Sequence, residues 1–321
     1  MNKNNFINFK EFNLTWAEQE FMNIDLGDKR LKERLIMISQ AFLEHPEAAI
    51  PQAMGDWAAS KAAYRFFDNS KVSFEKIIAA HKESTRERIK GSTVILAVQD
   101  TSFIDYTSHP STKDLGFLND ENHQGLIIHP TLILSAQGAA LGVIDLQILS
   151  RDCIGVKEQR RLKSIENKES RKWLESYRKT AAFAIDHPDH QIINIADREG
   201  DIYEFFQEAL KHKVLFSHAP DILIRAAWNR KLQQQDHMWP HMESKNIAGT
   251  FDLEVPRTKE HSSRKTTLDV RYDEITLSAP QRMTGPKLEP VRLWAVYVHE
   301  QKTPDGEKPI SWMLLTTVKV T

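Results

Sequence analysis

Residues Ile192–Phe206 read Ile-Ile-Asn-Ile-Ala-Asp-Arg-Glu-Gly-Asp-Ile-Tyr-Glu-Phe-Phe, and this stretch decides the fold class. The run Ile192–Ala196 is apolar and rich in β-branched side chains, which is typical of a buried strand. Asp197 ends this strand, and Asp201 is placed to cap a following helix. Apolar side chains then recur at helical spacing and can pack on a sheet: Ile202, Phe205, Phe206 and Ala209. A strand that ends in an acid and turns into a helix predicts a carboxylate at the carboxyl edge of an α/β sheet, where ligands bind.

A second apolar strand with an acid at its end precedes this stretch. Thr93–Gln99 is the strand and Asp100 is the acid. Two further strand-like runs, Gly125–Ser135 and Ala139–Leu149, follow, and Arg151–Lys179 is helical and basic in composition. The order of elements is therefore β-β-β-α-β-α, and acids close the first and the fourth strand. This order predicts an α/β domain.

The length of 321 residues favours two domains. Residues 1–90 are predicted to be all-helical, and residues 91–321 form the second domain. Within the second domain, we interpret residues roughly 230–305 as an antiparallel β insertion, because strand-like runs alternate there with Pro, Gly and charged loops.

Basic side chains decorate the first half of one predicted helix in the amino-terminal domain. Lys29, Arg30 and Arg34 lie opposite its apolar stripe. A solvated face is one interpretation of this pattern. The alternative is a DNA-binding helix that contacts phosphates.

The overall composition excludes several classes of protein. The net charge of −1 means that the whole chain is not an electrostatic nucleic-acid binder, so any basic surface is a local patch. The single cysteine, Cys153, excludes an internal disulfide framework and fits a reducing cytoplasm. No apolar run reaches membrane-spanning length.

The two acids at strand ends predict a site only if their strands are neighbours. In the ribonuclease-H arrangement, three antiparallel strands precede a helix, and the fourth strand lies parallel beside the first. Asp100 and Asp197 would then face one edge of the sheet. Two carboxylates suit Mg²⁺, which takes oxygen ligands and keeps several waters. Two such ions about 3.5–4 Å apart can stabilise the attacking and leaving oxygens of a phosphodiester.

Five stretches carry a resemblance to a known family, and they occur in the same order over nearly the whole chain: Leu26–Leu31, Ala63–Phe67, Val98–Ser102, Ile195–Ile202 and Trp312–Thr316. With them the sequence resembles the DDE transposases of bacterial insertion sequences, in the Tn-five/IS-four branch. The first two stretches look like the DNA-binding helices of that family. The next two look like the strands that carry its first and second catalytic Asp, and the last looks like its final strand before the third acid.

The resemblance implies a metal-dependent cut-and-paste reaction on double-stranded DNA. Asp100 and Asp197 would hold two Mg²⁺ ions, for which Mn²⁺ can substitute. An activated water would nick the transposon end, and the freed 3′-hydroxyl would attack the target DNA. Double-stranded DNA is the partner that the resemblance implies, and it leaves open whether the chain acts as a homodimer on DNA.

The resemblance also implies roles for four residues of the carboxyl-terminal half. Arg225 would contact a phosphate near the cleaved end, with Arg230 and Lys231 as helpers. Trp312 matches a residue that receives a flipped base, and aromatic stacking contributes about 1–3 kcal/mol per base. Packing within the strand is the alternative interpretation of Trp312.

One departure from the family changes the expected activity. The third acid of the family lies in a Tyr-x-x-Arg-x-x-x-Glu pattern after the last strand, and the sequence reaches Thr321 without it. We therefore expect a truncated transposase with little or no cleavage activity. The alternative function is a non-catalytic protein that binds transposon ends or inhibits transposition.

Overall fold

The computed structural model describes residues 14–151, 165–233, 237–257, 262–281 and 287–321. The chain divides after Gly91 into two compact units, except that Leu141–Val143 belong with the first. Among the described residues, no helix combines the length and the apolar character needed to cross a membrane.

The first unit is helical. Its helices are α1 Trp16–Glu20, α2 Lys29–Glu44, α3 Ile50–Met54, α4 Trp57–Phe67 and α5 Phe74–Ile89. Side chains at the amino ends of four helices accept backbone N–H groups that would otherwise lack partners: Thr15, Asp28, Asp56 and Ser73. The predicted apolar stripe of α2 is buried in the core of this unit, next to Phe21, Leu26 and Phe66.

A buried carboxylate ties α1 to α5. The Glu20 side chain is 1% exposed, and it accepts hydrogen bonds from Arg88 at 2.6 Å and 3.2 Å. His81 Nδ1 also contacts it. Burial raises the pKa of the Glu20 carboxyl, but the hydrogen bonds and charges of His81 and Arg88 outweigh burial and hold the pKa below its usual range.

We expect the helical unit to lose stability in acid through this group. Because the folded pKa of Glu20 is depressed, its contribution is fully present above the unfolded pKa of about 4.3 and is lost as pH falls through the lower folded pKa. Protection of the amides of α1 and α5 against hydrogen exchange, corrected for the intrinsic pH dependence of exchange, should therefore fall over that range. In Glu20→Gln the free energy of unfolding of the helical unit should fall by about 1–3 kcal/mol, so exchange should be faster at neutral pH. The acid dependence that Glu20 causes should disappear in this variant. Unchanged acid dependence in Glu20→Gln would contradict the assignment.

The second unit is mixed α/β and contains a large, mostly antiparallel sheet. The described residues form eleven strands: β1 Val94–Gln99, β2 Ser102–Asp105, β3 Gly116–Phe117, β4 Gln124–Ser135, β5 Ala140–Leu149, β6 Gln191–Ala196, β7 Asp221–Arg225, β8 Gly249–Val255, β9 Arg264–Leu277, β10 Val291–Glu300 and β11 Ser311–Thr316. The helices are α6 Arg171–Asp186, α7 Tyr203–Leu215 and α8 Met238–Glu243. The strand order is β2-β4-β1-β6-β7-β11-β10-β9-β8, and β3 and β5 also pair with β4.

The centre of the sheet is parallel. β1 pairs with β6 and β6 pairs with β7 in parallel, so the strand of the opening stretch lies beside the first strand, as the sequence led us to expect. α6 packs on β1, β4 and β6, and α7 packs on β7 and β10. The face that these helices cover is fully buried, whereas the apolar side chains on the opposite face of β1 and β6 are only half-buried: Val94, Leu96, Val98, Ile193 and Ile195.

Two details of the sequence interpretation differ from the structure. A helix was predicted over Arg151–Lys179. Residues 152–164 lie outside the described residues, and in the described part the α-helix begins at Arg171. The β insertion expected over residues roughly 230–305 contains helix α8. The helix tolerates Pro240 because this residue occupies the first turn, where its missing N–H has no helical partner to lose. The insertion strands β8 to β10 also extend the same sheet through β11.

Candidate acidic site and nucleic-acid interface

The sheet register brings the two predicted acids together. In the parallel ladder Val98 pairs with Ile195. Asp100 and Asp197 each follow two residues later, so they lie opposite each other, on the same face, at the carboxyl edge. Adjacent strands are about 4.8 Å apart. Both residues are exposed to solvent.

Short hydrogen bonds fix the turn that follows each acid. Asp100 Oδ1 accepts the N–H of Thr101 at 2.7 Å, and Asp197 Oδ1 accepts the N–H of Glu199 at 2.8 Å. The turn after Asp197 also comes very close to the core at Gly200. A Cβ at this position would lie 2.5 Å from Ala196 Cβ, so only glycine fits.

We expect Gly200→Ala to destabilise the protein by about 1–3 kcal/mol, because the added methyl group must displace the turn or the core beneath it. Besides Ala196, the nearest atom belongs to Trp173, at 3.3 Å. Gly249→Ala is the matched control, since a Cβ there meets nothing within 4 Å. Urea denaturation followed by circular dichroism measures both variants. Equal stability of the two would contradict the tight fit at Gly200.

The donor set at this edge fits one hydrated divalent cation. Asp100 and Asp197 supply carboxylate oxygens, which are the ligands that Mg²⁺ takes, and Mg²⁺ is commonly held by one or two carboxylates with waters and substrate phosphate. The two ions expected from the sequence need more negative charge. Within the described ranges, no group of three or more His, Cys, Asp or Glu side chains could hold a metal.

Arg225 continues the row of charged residues onto the third strand. Ile195 pairs with Leu223, so Arg225 lies opposite Asp197, whose charge acts on its guanidinium. Burial, and then the nearby Arg198, lower the pKa of Arg225, and Asp197 opposes this shift. The Nε of Arg225 is buried and has no hydrogen-bond partner. An unpaired buried donor is costly, so this group is suited to an incoming anion.

Trp312 lies on the same sheet face as Arg225. Leu314 pairs with Arg225, and Trp312 is two residues before Leu314 on β11, so the alternation of side chains puts both on one side. Trp312 is half-buried and sits opposite Val298 of β10. This position leaves part of the ring accessible.

The other two basic residues predicted for this region differ from Arg225. Arg230 donates to the buried carboxylate of Asp201 through Nε at 3.0 Å and also through Nη2, so its interactions stabilise the fold. Asp201 Oδ2 accepts the backbone N–H groups of Ala227 and Trp228 at 2.7 Å and 3.0 Å. Asp201 is therefore not the cap of α7, which begins at Tyr203. Lys231 is exposed.

Sequence reasoning missed a set of buried polar residues beneath the acidic edge. Gln99, His129 and Asn194 are each 0–1% exposed, on β1, β4 and β6. Burial, and then the charge of Lys172, lower the pKa of the His129 imidazole to about 3, so the ring is neutral at physiological pH. Their signal was available in the sequence, because His129 and Asn194 each lie between two apolar residues and Gln99 ends an apolar run.

The helical unit offers a separate basic and aromatic surface. Lys29 is paired with Glu33, and Arg30 with Asp28, both at exposed positions where such pairs contribute little. Arg34 is half-buried, and its Nε is buried with no hydrogen-bond partner. Helix α4 also exposes a stripe with two aromatic and two basic residues: Trp57 at 79%, Lys61, Tyr64 at 52% and Arg65. Tyr64 and Arg65 belong to the stretch Ala63–Phe67 that carried the resemblance, whereas sequence reasoning did not single out Trp57 and Lys61 as a DNA-contacting surface.

Comparison with protein-family models bears on this helical surface. Residues 13–72 match the family described as transposase DNA-binding. The matched segment contains α1 to α4, and therefore both the basic side chains of α2 and the aromatic stripe of α4. The match supports a transposase, and it gives the helical part of this chain a transposase-related role in binding DNA.

Proposed function

We propose that this protein is a DNA transposase whose second unit performs metal-dependent phosphoryl transfer at transposon ends. The observation that carries the proposal is the row Asp100, Asp197 and Arg225 along one edge of three adjacent parallel strands. The strand order β5-β4-β1-β6-β7, with α6 between β5 and β6, agrees with a ribonuclease-H-like core. The transposase DNA-binding match at residues 13–72 supports DNA as the substrate.

Each residue of the row has a distinct task in this proposal. Asp100 and Asp197 would hold a divalent ion, and the chemistry it would supply is activation of water and neutralisation of the charge of the phosphodiester. Arg225 donates to phosphate oxygens beside the ion and so positions the strand. Trp312 stacks on a base displaced near the cleaved end, and α2 and α4 hold the adjoining duplex. Cut-and-paste movement with a homodimer on DNA is the form of reaction we propose.

A second candidate is DNA-end binding without cleavage, which would make the protein an inhibitor of transposition. The specific observation in its favour is that the described residues place two carboxylates, not three, at the acidic edge. A cation held by two carboxylates is less neutralised than one held by three. The surfaces proposed for DNA binding would serve this function equally well.

The deciding experiment measures binding and cleavage on the same DNA. A gel shift and a strand-cleavage assay with Mg²⁺ or Mn²⁺ are run on the inverted repeats that flank the coding sequence. We expect cleavage that is lost in Asp100→Asn and Asp197→Asn, while both variants still shift the DNA. Asp189→Asn is the control, because Asp189 is also exposed but precedes the opposite end of β6.

Three outcomes discriminate the candidates. Cleavage that depends on both acids supports the transposase. Binding by the unaltered protein without cleavage supports the inhibitor. Cleavage that persists in Asp100→Asn and Asp197→Asn would exclude the proposed site.

A further inference from the structure

A chain of hydrogen bonds with one donor direction runs beneath the Asp100 turn. Gln99 Nε2 donates to Asn194 Oδ1 at 2.6 Å, so Gln99 Oε1 is the atom that faces His129. His129 Nε2 must then donate to that oxygen, at 3.1 Å. The other ring nitrogen, Nδ1, forms a hydrogen bond with the hydroxyl of Thr101 at 2.9 Å.

The chain continues to helix α6. Asn194 Nδ2 donates to Thr180 Oγ1 at 3.2 Å, and the Thr180 hydroxyl donates to the carbonyl of Ser176 at 2.9 Å. Asn194, Thr180 and Ser176 are all 0% exposed. Each donor therefore has its acceptor, and the network links β1, β4, β6 and α6.

Such a network specifies the register of the central strands. In an apolar parallel sheet, a shift by one residue would move every side chain to the other face. Here the shift would also separate Gln99 from Asn194 and leave buried amide groups unpaired, at a cost of about 1–3 kcal/mol each. Gln99 precedes Asp100 directly, and Asn194 lies three residues before Asp197, so the register that the amide pair fixes is the one that aligns the two acids.

We infer that His129 is a positioning residue for Asp100, acting through the hydroxyl of Thr101, and that Gln99 and Asn194 hold the two acid-bearing strands in register. The inference deepens the proposed function and rests on it. Thr101 is the end of the network nearest to the acidic edge, and its N–H donates to Asp100 Oδ1. Anchoring its side chain orients the Asp100 carboxylate before a cation arrives. Groups that orient metal ligands in this way affect metal affinity about 10–100-fold.

Thr101→Val tests the inference with little risk to folding, because Val has the same shape and Thr101 is only half-buried. The measurement is Mn²⁺ binding to the full chain by electron paramagnetic resonance, without DNA. We expect about tenfold weaker binding in Thr101→Val, and Thr101→Ser, which keeps the hydroxyl, should bind within about twofold of the unaltered protein. Amide exchange at residues 100–102 without metal should be faster in Thr101→Val only.

Thr180→Val is the matched control at the other end of the network. It removes one partner of Asn194 in the core but keeps the Gln99–Asn194 pair that sets the register, so it should lower the unfolding temperature and leave Mn²⁺ affinity unchanged. A purely structural role for the network predicts instead that both Val variants lose stability and that neither loses affinity.

The outcomes separate this inference from the proposed function. If the unaltered protein and Asp197→Asn bind Mn²⁺ equally or not at all, the metal site fails and the inference fails with it. If Asp197→Asn abolishes binding while Thr101→Val binds like the unaltered protein, the site stands and the positioning role is overturned. Loss of affinity in Thr101→Val that Thr101→Ser restores supports both.

Discussion

Replacement of Asp201 by Ala should lower the free energy of unfolding by about 3–5 kcal/mol, as expected when one partner of a buried ion pair is removed. The Asp201 side chain is 0% exposed and that of Arg230 is 15% exposed, so the arginine would keep its charge without its partner. The backbone N–H groups of Ala227 and Trp228 would lose their acceptor as well. The loop that follows Arg225 should loosen in consequence.

Urea denaturation followed by circular dichroism measures this loss. Glu254→Ala is the matched control, because Glu254 pairs with Lys265 where the two side chains are 77% and 82% exposed. Such a pair contributes about 0–1 kcal/mol. If Asp201→Ala and Glu254→Ala lowered stability equally, the bracing role of Asp201 would be wrong.

Arg225→Met should reduce DNA cleavage by about 100-fold or more, since removal of a charged group that stabilises transferring phosphate has effects of this order or larger. The same change should leave the stability of the free protein unchanged or slightly higher. The reason is that Arg225 is partly buried with an unpaired Nε, and burial already lowers its pKa. Such a residue lowers the stability of the free protein and makes favourable contacts only when a ligand is bound, which is expected at a binding site.

Two companion variants sharpen the test of Arg225. Arg225→Lys keeps the charge but loses the planar fork, so it should recover only part of the cleavage. Lys231→Met removes an exposed charge and should weaken DNA binding mainly at low salt. Cleavage rates and the salt dependence of the gel shift measure these effects. A marked loss of stability in Arg225→Met, with normal cleavage, would assign Arg225 to the fold alone.

The sequence was sufficient for the elements that rest on local patterns. The strands before Asp100 and Asp197 were identified because apolar β-branched runs end abruptly at an acid, and their parallel pairing follows from the intervening helix α6. The amino-terminal helices were predictable from caps and apolar spacing, as at Asp56 and Ser73. The basic side chains of α2 were found in the same way.

Features that depend on distant partners were not predictable. The placement of β11 between β7 and β10 joins segments far apart in sequence, and no local pattern specifies that pairing. Asp201 has the spacing of a helix cap, but tertiary contacts with Arg230 determine its role. The partner of His129 Nε2, which is Gln99 Oε1, could be assigned only once Gln99 and Asn194 were known to be neighbours.

The position of β11 has a consequence for the order of folding. β7 takes backbone partners from β6 on one side and from β11 on the other, and β11 is reached only after the loops and strands of residues 226–310. Contacts between segments so distant in sequence close slowly, because the chain must lose much conformational entropy before they form. During synthesis, β7 would therefore leave the ribosome with one edge open. Arg225, the last residue of β7, would take a fixed position only after β11 has been synthesised and has paired with β7.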